Sequence, residues 1–161
     1  LNNMAGPTAL IFSRQNLPVL DRSVCSPAAD TQLGGYILWE SAPEPELILL
    51  ATGSEVSITL AAGRTLAAEG FKIRVVSLPS WELFDRQPAD YRDRVLPPRV
   101  RARLAVEAGI SLGWEHYTGL DGKIIGMESF GASAPGSVLY EKFGFTPACI
   151  IDAAKALLKA R

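Results

Sequence analysis

A layered α/β/α fold around a mostly parallel sheet is predicted by three features of the sequence. Short apolar, β-branched runs alternate with amphipathic stretches along most of the chain. Glu46–Ala51, Ser54–Glu69 and Lys72–Leu78 read as one strand, helix, strand unit, which takes a right-handed crossover in nearly all cases. The length of 161 residues, 48% of them hydrophobic, suffices for one real core without disulfides or metals.

The elements follow in chain order. Leu1–Gly6 reads as a helix-like scrap that ends at Pro7. Thr8–Ser13 is a continuous apolar run, which predicts a strand buried on both faces with Arg14 at its C-terminal end. Leu17–Gly35 has Pro18, Pro27, Gly34 and Gly35 and no clear period, so it reads as a connector holding a domain boundary. Tyr36–Trp39 is a short strand, and Ala42–Pro45 a turn before the strand Glu46–Ala51. Thr52–Glu55 then opens a helix with Ser54 as N-cap and Glu55 in its positive first turn. Val56, Leu60, Gly63 and Leu66 mark its buried face, and Gly70 stops it.

Trp81–Asp85 and Pro88–Val95 read as short helices, the second with proline in its first turn. Arg103–Glu107 and Lys123–Met127 read as strands, separated by an aromatic helical turn over Leu112–Tyr117. After the small-residue loop Ser129–Gly136, Val138–Phe143 and Pro147–Lys159 close the chain as helices. Neither an internal repeat nor a low-complexity tract is present.

Composition narrows the functional classes. Sixteen basic and 17 acidic side chains leave a net charge of −1, which argues against a nucleic-acid binder. Arg99, Arg101 and Arg103 alternate with Val100, Ala102 and Leu104, predicting an apolar-in, charged-out strand approach. No apolar run reaches the ~18 residues of a membrane span, and the start lacks a secretory signal, so a cytoplasmic protein is expected. Cys25 and Cys149, 124 positions apart, make no metal-site spacing and are expected as free thiols.

Three places offer chemistry. The turn Thr52-Gly53-Ser54 resembles an anion cradle at a helix start, but one glycine stands where the dinucleotide fingerprint needs three, and a tight turn with an N-cap is the favoured reading. His116, the one histidine, lies near no recognisable Ser or Cys nucleophile, which favours a packing or surface role. Arg14, within Ser13-Arg14-Gln15, stands where α/β proteins hold anionic ligands; a structural arginine fixing the connector is the rival reading.

Several segments together resemble one family. Gly6–Leu17, Gly34-Gly35-Tyr36, Ala51–Val56, Ala105–Gly109, Gly126-Met127 and Phe130–Pro135 occur in the order found at the C-terminal end of transketolases. The resemblance implies a five-stranded mixed sheet with Tyr36–Trp39 as the antiparallel strand. It also implies a division into the tail of a pyrimidine-binding domain over residues 1–35 and a C-terminal domain over residues 36–161. The implied activity is transfer of a two-carbon ketol unit between sugar phosphates, using thiamine diphosphate and Mg²⁺ (or Ca²⁺). By the same resemblance Arg14 binds the sugar phosphate, and the remaining transketolase domains and a second subunit of a homodimer are partners. The family's Gly-Asp-Gly cofactor segment has no counterpart here beyond Leu120-Asp121-Gly122. This chain alone is therefore expected to bind no cofactor and to be inactive. A free-standing module binding a phosphorylated metabolite at Thr52–Glu55, or the equivalent domain of a 2-oxo-acid dehydrogenase or dihydroxyacetone synthase, stays open.

Overall fold

A computed structural model describes residues 6–160. The helical scrap expected at the start falls mostly on residues 1–5, outside the described residues. A 3-10 helix over Ala28–Leu33 precedes β1 (Tyr36–Glu40), β2 (Leu47–Ala51), α1 (Glu55–Ala68), β3 (Ile73–Ser77), α2 (Trp81–Asp85) and α3 (Ala89–Val95). Then come β4 (Arg103–Val106), α4 (Glu115–Thr118), β5 (Lys123–Ile125), α5 (Gly136–Phe143) and α6 (Pro147–Lys159). The strands form one sheet in the order β1-β3-β2-β4-β5, with β1 antiparallel to β3 and every other pair parallel.

The alternation along β2 explains the three layers. Leu47, Leu49 and Ala51 pack with Val56, Leu60 and Leu66 of α1 and Ile150 and Ala154 of α6. Ile48 and Leu50 turn to the other face, against Phe84, Val95, Trp114 and Tyr117. A strand buried on both faces has no polar side to show, which is why its sequence is unbroken Leu and Ile. Each such side chain contributes about 1.5 to 3 kcal/mol by leaving water. α1 lies close on β3: a Cβ on Gly63 would stand 2.8 Å from Val75 Cγ2. α6 starts where Thr146 accepts a hydrogen bond from the Cys149 amide, followed at once by Pro147. Among the described residues no helix is long and apolar enough to cross a membrane.

Four expectations are corrected. Thr8–Ser13 forms no strand; Ile11 is 95% and Phe12 82% exposed. The run has the composition of a doubly buried strand, but it joins neither edge strand of the sheet, β1 or β5, and Ile11 and Phe12 stay in water. Ser54 precedes α1 without capping it, because its hydroxyl is engaged elsewhere. Pro88 stands at the cap of α3 and not inside its first turn. Arg103 turns inward, donating to the carbonyls of Leu96, Pro97, Val100 and Tyr117, while Arg99 and Arg101 stay exposed as expected. The connector touches the domain at its middle, where Cys25 is buried in the core and the Ser26 amide bonds to the Leu38 carbonyl at 2.9 Å.

Candidate functional site

The chain leaves β2 through α1 toward β3, then crosses the opposite face through α2 and α3 to reach β4 on the other side of β2. Between the C-terminal ends of β2 and β4 the connections therefore diverge, which makes this the topological switch point, the crevice at which open α/β sheets hold ligands. Thr52–Glu55 follows β2 there, and Glu107 follows β4.

A hydrogen-bonded cluster occupies this edge. Glu55 is buried at 3% exposure. Its Oε1 accepts the Ser54 hydroxyl at 2.7 Å and the Tyr140 hydroxyl from α5. Tyr140 Oη lies 2.8 Å from Ser54 Oγ and accepts the Gln15 side-chain amide at 3.3 Å. Burial, reinforced by the Glu55 hydrogen bond, raises the Tyr140 pKa. The Tyr140 ring packs at 5.7 Å on Phe145, which is itself buried. Gln15 also lines a cleft of about 250 Å³ with Ala132, Leu139 and Phe143.

Glu107 is pushed from the usual 4.5 to about 7, first by loss of water and then by the negative charge of Glu55. The folded chain thus keeps a proton that the unfolded chain releases between about pH 4.5 and 7. Stability falls as pH rises through that window, and the whole deficit is present above it. Allowing for solvent around the half-buried side chain, the deficit is about 1 to 2 kcal/mol. Glu107→Gln is expected to remove the slope and to raise stability at pH 8 by that amount. Urea unfolding at pH 5 and pH 8 checks it; equal slopes for both proteins would refute it.

The other candidates read from the sequence fall as follows. The Thr52-Gly53-Ser54 turn borders an open groove of about 520 Å³ facing Leu17–Leu20, with the Glu55 carboxylate bonded to Ser54 beside it. Arg14 is exposed, and no ion pair ties it to another described residue. The structure brings its neighbour Gln15, and not Arg14 itself, to the Glu55 cluster. His116 is a surface side chain, 3.6 Å from Asp85 and edge-on to Tyr117. It borders a groove of about 500 Å³ at the opposite end of β4, where Arg92 and Arg101 are offset by Asp85, Asp93 and Asp121. Cys25 is buried, Cys149 exposed, and both are free. Tyr140 gives no signal in the sequence: it reads as one more residue of a closing helix, and only packing carries it 86 positions back to Ser54.

Sheet order and crevice define a doubly wound α/β domain. The Transketolase-like TK C-terminal domain family matches residues 34–146, and the chain belongs to that family. Transketolase 2 of Vibrio parahaemolyticus is 57% identical over 152 residues, which is 94% of this chain and 23% of that protein. Transketolase 1 of Escherichia coli is 54% identical over 153 residues, 95% of this chain and again 23% of that protein. A solved Pichia stipitis transketolase in complex with xylulose-5-phosphate superimposes with a TM-score of 0.79 at 37% identity, over 91% of this chain and 21% of that one. The chain thus spans less than a quarter of the length of these relatives.

Proposed function

We propose that this chain works as the C-terminal part of a transketolase, in which the described domain supports a site that moves a two-carbon ketol unit from a ketose phosphate to an aldose phosphate. The observation that carries the reading is the match of 94% of the chain to a transketolase at 57% identity. The described residues hold no group of three His, Cys, Asp or Glu side chains suited to a metal. The crevice at the sheet edge carries two glutamates, which suits a diphosphate poorly. Thiamine diphosphate with Mg²⁺ or Ca²⁺ is accordingly assigned to the rest of the enzyme, where it supplies the carbanion chemistry. The chain by itself is inactive on this reading.

Arg14 is this chain's contribution to the substrate. Its exposed guanidinium offers a planar fork of donors that matches phosphate oxygens. Binding energy gained at the phosphate, remote from the reacting carbon, orients the sugar for transfer. The exposed apolar run Leu10-Ile11-Phe12 supports assigning residues 1–35 to a neighbouring domain, since it needs a sheet that the described domain does not provide. Homodimer formation and a cytoplasmic setting belong to the same proposal, and two free thiols fit a reducing compartment.

Arg14→Ala in the assembled enzyme tests the reading. Loss of a charge-assisted pair predicts a fall in kcat/KM of roughly 10- to 100-fold for phosphorylated ketoses. An unphosphorylated ketol donor should be used as before. An equal loss on both donors, or none on either, would remove Arg14 from the phosphate site.

A further inference from the structure

We propose that Tyr140 is a positioning residue for Arg14, acting through Gln15, so that the C-terminal domain tunes affinity for the substrate phosphate without touching it. The inference rests on the reading of Arg14 given above. Arginine has many rotamers, and an exposed one loses conformational entropy when it closes on a phosphate. Whatever fixes the backbone beside it lowers that cost. Among residues 9–17, the Gln15 amide makes the one side-chain hydrogen bond to another element, and it does so across 125 positions to Tyr140.

The anchor at the far end is firm. Tyr140 is tied to Glu55, buried at 3% exposure, and to Ser54 at the start of α1. Its ring is held by Phe145. Gln15 also reaches the start of α5, where a Cβ on Gly136 would meet its Oε1 at 3.8 Å. The Tyr140 hydroxyl accepts from Gln15 and has one proton to give, which it shares between the Glu55 carboxylate and the Ser54 hydroxyl oxygen beside it. The phosphate-binding arginine is thereby fastened, one residue away, to the buried start of α1.

The test compares Tyr140→Phe, Gln15→Ala and Arg14→Ala in the assembled enzyme, each with a phosphorylated ketose and an unphosphorylated ketol donor. Tyr140→Phe keeps the ring on Phe145 but also frees Glu55 and Ser54, whereas Gln15→Ala changes an exposed side chain alone, so the bond between Gln15 and Tyr140 is the one loss the two variants share. Each is expected to raise KM for the phosphorylated donor by roughly 2- to 10-fold, the range that a single neutral hydrogen bond carries, with kcat kept. The unphosphorylated donor should not respond, and the double variant should be no worse than either single one. If Arg14→Ala raises that KM and neither Tyr140→Phe nor Gln15→Ala does, the positioning role is wrong while the Arg14 reading stands. If Arg14→Ala has no effect, both fail together. A loss of kcat on both donors in either variant would mean general damage and would also overturn the proposal.

Discussion

Gly34→Ala is expected to destabilise the chain by about 3 to 5 kcal/mol, a large part of the 5 to 15 kcal/mol that holds a typical domain. Two independent costs add. Gly34 has φ +79°, a backbone region where an alanine is strained by about 1 kcal/mol. The larger cost is overlap. A Cβ at Gly34 would meet the Phe84 amide nitrogen, and would lie 2.5 Å from the Ser80 carbonyl oxygen and 2.6 Å from Leu83 Cβ. Two of these three atoms are backbone of α2 and its cap, so no rotamer change relieves them.

Relief requires moving α2, and the connections around Gly34 resist that. Its amide bonds to the Thr31 carbonyl at 3.1 Å, and its carbonyl accepts the Ser80 amide at 2.9 Å. α2 carries Phe84, at 2% exposure, into the core beside Leu78 and Tyr117. Gly53→Ala is the matched control: φ is +55° there, but nothing lies within 4 Å, so only the backbone strain of about 1 kcal/mol is expected. Urea unfolding of both variants separates the two costs. Equal destabilisation at the two positions would show that overlap at α2 contributes nothing.

What is legible in the sequence divides along the same physical line. β2 and β3 can be placed within a residue because a doubly buried strand announces itself in composition alone. α6 can be placed at its full extent, since a threonine cap, a first-turn proline and a 3.6-residue apolar rhythm agree. Thr8–Ser13 carries the same strand signal and forms none: an apolar run states a demand for neighbours, and the sequence does not say whether this domain supplies them. Arg103 fails for the opposite reason. Its alternation with Val100 and Ala102 suggests a side chain facing water, but four carbonyls of the Leu96–Val100 turn and α4 outweigh solvent for a guanidinium. In the crevice, the Thr52–Glu55 turn lies at the end of β2 as its sequence implies, whereas Ser54 makes a different bond from the one its position suggests. A serine before a helix reads as a cap because local geometry favours it; here Glu55 and Tyr140 win the hydroxyl, and Tyr140 arrives from far along the chain.

Arg74→Met is expected to cost about 3 to 5 kcal/mol, because it strips the partner from a set of acceptors the fold keeps from water. The Arg74 side chain is 6% exposed, at the second position of β3 and opposite Glu40 in register. Its Nη2 lies 2.7 Å from Glu40 Oε2, and Nε donates to the same oxygen at 2.8 Å. Nη1 donates to the carbonyls of Arg94 at 2.7 Å and Val95 at 3.2 Å, and Nη2 to that of Pro43 at 3.1 Å. One guanidinium thus fastens β1, the β1–β2 turn and the last turn of α3, whose final carbonyls have no partner within the helix. Methionine fills similar volume, so the loss measures unpaired acceptors more than a cavity. Glu40→Gln on the Arg74→Met background removes the stranded charge and should recover about 1 to 2 kcal/mol. The exposed pair Arg99–Glu44 gives the contrast: both side chains are mostly in water, and Arg99→Ala should change stability by less than about 1 kcal/mol. Chemical denaturation of these variants beside the parent chain decides the point. If Arg74→Met costs no more than Arg99→Ala, the buried guanidinium is not what holds α3 against the sheet.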